Sequence, residues 1–191
     1  MTAVDLWNKA LAGIGHDRFV SSEDSVFIEA VHCRREWDGA RLSVLTAHEW
    51  GWLVVEAAMC DGSSCFCDAT GKTIYYYPRP PEAILITSVT DEDGRRVRFS
   101  AVNNQIEAPA EPAKIGYLVD NEVIDEWPSA IQDAVVAELA ARIVFPLKKD
   151  AALLKQTRVL AAAALATAKQ KDSSEVTYGG TNGRKYADAR T

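Results

Sequence analysis

Cys60, Cys65 and Cys67, with His48 upstream and the pair His32-Cys33 before it, form the densest set of soft ligands in the chain. Zinc is held in a tetrahedron of thiolates and imidazoles, which structural sites usually deliver as two short-spaced pairs. Here the spacing is C-x4-C-x-C, and no second pair matches it. By residue type Cys60, Cys65, Cys67 and His48 are the candidate ligands; the spacing assigns no metal and no cofactor. Cys33 falls on the apolar seam of a helical stretch, where a free cysteine acts as a small buried hydrophobe.

Other chemistry finds even less to work with. No G-x-S-x-G elbow is present, and the three histidines lie in or beside helical stretches rather than in a nucleophile setting. The glycine run Gly179 to Gly183 has no strand before it and no helix after it, so it does not build a phosphate cradle. Asp91, Glu92 and Asp93 beside Arg95 and Arg96 dress a turn. Trp50 and Trp52 flank Gly51 at a helix-to-sheet junction and read as packing. Tyr75, Tyr76 and Tyr77 alternate faces on a strand, so at least one ring points outward. No catalytic set is assigned, and the chain is not read as an enzyme.

The elements that must position these residues follow from periodicity. A first helix spans residues 2 to 14, with Thr2 as cap, Asp5 three residues on, and Trp7, Ala10, Leu11 and Ile14 on one face. Ser22 is placed to cap a second, long helix, with Val26, Ala30, Cys33, Trp37, Ala40 and Val44 as its seam. Its other face, Arg34, Arg35, Asp38 and Arg41, is charged and reads as solvated. Short β-prone runs then appear at Ile74 to Tyr77, Ala83 to Val89, Arg95 to Val102 and Ile115 to Val119. Turn clusters separate them, among them Asp91 to Gly94 and Asn103-Asn104.

Trp127-Pro128 restores helix, with Pro128 at its first position, Ile131, Val135, Leu139 and Ile143 as its face, and Pro146 ending or kinking it. Asp150 caps a last helix from Ala151 to about Lys171, faced by Leu154, Ala161, Leu165 and Ala168. Eight of the eighteen residues from Ala151 to Ala168 are alanine, small enough to let another helix approach closely. The polar, glycine-bearing remainder cannot build a core and reads as a mobile arm. The expected class is α+β, with four main helices as a bundle (1–52 and 123–172), an inserted antiparallel β-subdomain (53–122) and an extended flexible C-terminal arm (173–191).

Composition sets the outer bounds. With 191 residues and 48% hydrophobic content the chain can bury a full core, removing roughly 70% of its extended surface on folding. Lys and Arg total 21 against 27 Asp and Glu, a net charge of −6, which argues against coating duplex DNA. The start MTAVDLWNK lacks a basic and an apolar region, so no secretion is expected. The longest apolar run, Val159 to Ala168, is about half of what spanning a bilayer takes, so no membrane is expected either.

The order of these motifs carries a resemblance. LWNKALAGIGHDRFVSS, then CRREWDGARLSVLTAHEWGWL, a β-insert containing IYYYPRPPEAILITSV, and a return through DEWPSAIQDAVVAELAARIVFPL together resemble the tail tubular protein A and head-to-tail adaptor family of tailed bacteriophages. The likeness covers about residues 3 to 172, and the cysteine cluster is foreign to it. It implies a structural virion protein at the head-to-tail interface, present in the host cytoplasm during assembly. Such a protein forms a ring of about twelve copies beneath the portal protein, joined on its far side to the tail nozzle or next connector. Double-stranded DNA passes through the channel without sequence-specific binding. It further implies that Tyr178, Gly179, Gly180, Arg184, Lys185 and Tyr186 belong to an arm that binds the portal. The alternative kept open is a helical DNA-binding packaging or regulatory factor.

Overall fold

The computed structural model describes residues 1–59, 64–67, 73–109 and 112–178, of which 64–67, 112–113 and 174–178 are described as main chain only. The class is α+β, with four α-helices and two small antiparallel sheets among the described residues. Two compact units share the chain, a helical one from Met1–His48 and the described residues from Glu122 onward, and a β unit over Glu49–Asn121.

Helix α1 (Ala3–Gly13) is closed by a reciprocal cap, in which the Asp5 amide donates to Thr2 Oγ1 at 3.3 Å and the Thr2 amide to Asp5 Oδ2 at 2.7 Å. Its buried face is Leu6, Trp7, Ala10 and Leu11. The loop that follows is tied down by its neighbours. Asn8 brackets Val20 with two bonds of 2.9 and 2.8 Å, and Lys148 Nζ donates to Gly15 O at 2.7 Å.

Helix α2 (Ile28–Leu45) begins five residues later than Ser22 predicts. Ser22 caps only a turn: its Oγ accepts from the Asp24 amide at 3.1 Å and its carbonyl from the Ser25 amide. Serine and aspartate side chains in this run offer the backbone local bonds that compete with helix. Val26, expected on the seam, therefore lies outside the helix and is 89% exposed, whereas Ala30, Cys33, Ala40 and Val44 are buried. Arg41, expected on a solvated face, is also buried. Its guanidinium lies 3.6 Å from Asp38 and 3.7 Å from Glu122, a partner that helical spacing alone does not reveal.

A 3-10 turn (Ile124–Glu126) leads into α3 (Ser129–Lys148). Pro128 occupies the N-cap position rather than the first helical one, and Gln132 Nε2 reaches back to the carbonyls of Trp127 and Ile124. Ile131, Val135, Leu139 and Ile143 are all buried as the spacing predicts. Pro146 sits inside the last turn, where the helix runs on to Lys148 and closes through a left-handed Lys149 (φ 57°).

Asp150 then accepts from the amides of Ala152 and Leu153, starting α4 (Ala151–Tyr178). This helix continues past Lys171, beyond the start assigned to the arm. Ser173 Oγ folds back onto the Lys169 carbonyl at 2.9 Å, and no glycine interrupts the sequence until Gly179. Central α3 packs against α1, α2 and α4. Trp37 stacks on Trp127 (6.4 Å, 12°) and meets Trp7 edge-on (6.3 Å, 67°). No helix among the described residues is long and apolar enough to cross a membrane.

In the β unit the strands are β1 (Val54–Ala58), β2 (Ser64–Cys67), β3 (Thr73–Pro78), β4 (Ala83–Asp91), β5 (Ser100–Val102), β6 (Gln105–Ala108) and β7 (Pro112–Val119). They form one sheet in the order β1-β7-β4 and another in the order β2-β3-β6-β5, where four strands were expected. The run Arg95 to Val102 yields only β5 and a single bridge, Thr90 to Arg96, because Asp91 Oδ1 captures the Arg95 amide at 2.8 Å in a tight turn with Gly94 at φ +76°. Asn103 and Asn104 (φ 51° and 62°) make the two-residue loop of the β5–β6 hairpin, with Val102 paired to Gln105. Two successive left-handed residues match the strand twist, and asparagine tolerates that region. Tyr77, Val89, Ile106, Ala108, Ile115 and Tyr117, drawn from both sheets, share one core.

Candidate functional site

His48, the one candidate metal ligand whose side chain is described, follows α2 in the helical unit. Its Nε2 lies 3.2 Å from Asp172 Oδ2 on α4, so the ring is engaged in a hydrogen bond across 124 residues of sequence. Cys65 and Cys67 lie on β2, where only the main chain is described, and Cys60 lies outside the described residues. No group of three His, Cys, Asp or Glu that could hold a metal occurs among the described residues. Cys33 is fully buried on α2, and burial first, then the nearby Glu29, push its thiol up to about 12. Of the residues assigned to the arm, Tyr178 is the last residue of α4, while Gly179, Gly180, Arg184, Lys185 and Tyr186 lie outside the described residues.

Two features of the helical unit escape a reading by residue type. One is Glu29, buried at the start of α2 between His16 Nε2 at 3.7 Å and an Arg18 nitrogen at 3.8 Å. Arg18 also lies over the Phe27 ring, 4.8 Å from its centroid. These contacts hold the loop after α1 to the first turn of α2.

The other is a groove of about 670 Å³ between α2, α3 and α4. Its apolar wall is made by Val44, Ala141, Phe145, Leu154, Ala161 and Leu165, and alanines keep it open where larger side chains would fill it. Four charged residues, Glu36, Glu138, Arg142 and Arg158, also line it. Arg142 Nε donates to Glu138 Oε1 at 2.8 Å, and Glu36 pairs with Arg35 at 3.1 Å. Arg158 has no ionic partner among the described residues.

Such a groove has no side chain poised as nucleophile beside a base. What it offers is apolar area and one uncompensated guanidinium, the equipment of a binding surface. The alanine-rich stretch at Ala151 to Ala168 was legible as a place of close helix approach; the groove itself depends on α2 and α3 and was not. In comparisons with known proteins, the sequence matches no family model and no curated protein.

Proposed function

We propose that the chain is a structural virion protein, an adaptor ring that docks under the portal, joins it to the tail and forms part of the DNA channel. The observation that carries this reading is the chain order: helices from both ends of the sequence make one unit, and a β unit is inserted between α2 and α3. That is the order of elements on which the resemblance rests. In this reading the four helices are the bundle that packs side by side around the ring, and residues beyond α4 supply the portal-binding arm. The net charge of −6 suits a conduit, since weak phosphate affinity lets DNA slide.

Mixing the purified protein with its cognate portal should add a ring tier visible by electron microscopy; a portal without the added tier overturns the reading. Deleting residues 177–191 should abolish docking while leaving the helical circular-dichroism signal and the His48–Asp172 pair in place.

One observation favours a second reading. Lys155 and Arg158 are exposed one turn apart on α4, a local basic pair on an acidic chain, as a helical DNA-binding packaging or regulatory factor would require. A salt-sensitive mobility shift with duplex DNA selects that reading, and its absence at modest ionic strength selects the adaptor.

A further inference from the structure

Five large apolar side chains stand in water in the loop before α2 and in its first turn. Phe19 is 77% and Val26 89% exposed, and Phe27, Ile28 and Val31 continue the patch onto the first turn of α2. Isolated exposed hydrophobes need no explanation, but five within thirteen residues of a loop and its following helix turn are a patch that marks an interaction site. The segment is not loose. The Asn8 bracket on Val20, the Arg18–Phe27 stack and the buried Glu29 hold it in shape, so little ordering entropy remains to be lost when it docks. Asp17, Glu23 and Asp24 are exposed in or beside the same segment, and none has an ionic partner among the described residues.

The groove between α2, α3 and α4 is its complement in charge. Much of its lining is apolar, including a half-exposed Phe145. Its uncompensated charge is Arg158, with exposed Lys155 one turn before it on α4. We infer that the occupant of the groove is the Phe19–Val31 segment of a second copy of this chain, with Glu23 and Asp24 meeting Lys155 and Arg158. Because the two surfaces differ, the contact is heterologous: each copy offers a patch to one neighbour and a groove to another, which propagates until a rotation closes it. The inference rests on the ring reading for its closure, and it names the surfaces that reading leaves open.

The test is a charge exchange followed by sedimentation velocity on the full chain. Lys155→Glu with Arg158→Glu, and separately Glu23→Lys with Asp24→Lys, should each lower self-association on the order of tenfold or more, and raised salt should weaken the wild-type contact. The four substitutions together should restore association. All four residues are exposed, so circular dichroism should report unchanged folding.

Failure of the combined variant to recover, or a wild type that stays monomeric at every concentration, overturns the inference. A cross-link between Phe27→Cys and Ala162→Cys that forms within one copy, and not between copies, overturns it as well. If both charge variants still build rings on the portal, the surface assignment falls while the adaptor reading stands. If the surfaces pair in solution but no tier forms on the portal, the adaptor reading falls and this one stands.

Discussion

Cys33 gives the sharpest single-residue expectation. A fully buried thiol pushed up to about 12 is neutral and unreachable, so iodoacetamide at pH 8 should leave it unmodified in the folded protein and alkylate it once urea is added, as read by peptide mass spectrometry. A titrating pair sits in the β unit, where the Tyr117 hydroxyl donates to Glu82 Oε1 at 2.7 Å. That bond holds the Glu82 carboxyl below its usual range, while burial and then the same bond push the phenol up to about 12. The Glu82 contribution is present above the ordinary carboxylate value and is lost as pH falls through the lowered one. The Tyr117 contribution is present below about 10 and is lost between there and about 12. Tyr117→Phe should therefore flatten both limbs of a urea-midpoint profile against pH. At this scale the sequence disclosed what is local: the Thr2–Asp5 cap, the Asp150 cap and the Asn103-Asn104 turn. Arg41 and Glu29 were illegible because their burial depends on Glu122 and on the folded-back loop at His16 and Arg18, which no helical spacing encodes.

Two glycines report how closely the elements approach. A Cβ at Gly39 on α2 would stand 2.8 Å from the end of the Arg142 side chain, which is free to swing away. Gly39→Ala should stabilise the protein by up to about 1 kcal/mol through helix propensity while breaking the Arg142–Glu138 bond. A Cβ at Gly116 on β7 would stand 2.5 Å from Ser88 Oγ and 3.1 Å from Thr87 Oγ1, inside a paired strand. Gly116→Ala should cost about 1–3 kcal/mol by overpacking. Urea midpoints of the two variants should thus move in opposite directions. The helices were legible because their apolar faces recur over many turns. Strands β1, β2 and β6 were not: each is five residues or fewer, and what selects them is pairing, of β1 with β7 far along the chain, of β2 with β3, and of β6 with β3 and β5. The late start of α2 has the same lesson in miniature, since Ser22 was a sound cap signal satisfied by a turn.

The chain as a whole is acidic, yet its charge is sorted, with Glu23 and Asp24 outside any ion pair in the Phe19–Val31 segment and Lys155 and Arg158 outside any ion pair on α4 among the described residues. The total was legible at once, but the sorting required knowing which charges are spent on internal pairs. The β unit has its own core, so the excised segment Glu49–Asn121 should fold alone and keep a strand-type circular-dichroism spectrum, with the modest stability of a domain of about 70 residues. Its first and last strands, β1 and β7, are paired side by side, Val54 opposite Leu118. That pairing has a kinetic consequence. Bringing α2 to α3 across an unfolded linker of roughly 70 residues costs about 2 kcal/mol more closure entropy than bridging a short loop. Once β1 and β7 have zipped, that cost has already been met. The insert then acts as a folding clasp for helices it does not belong to, and weakening the β1–β7 register should slow the appearance of helical signal in a stopped-flow refolding trace.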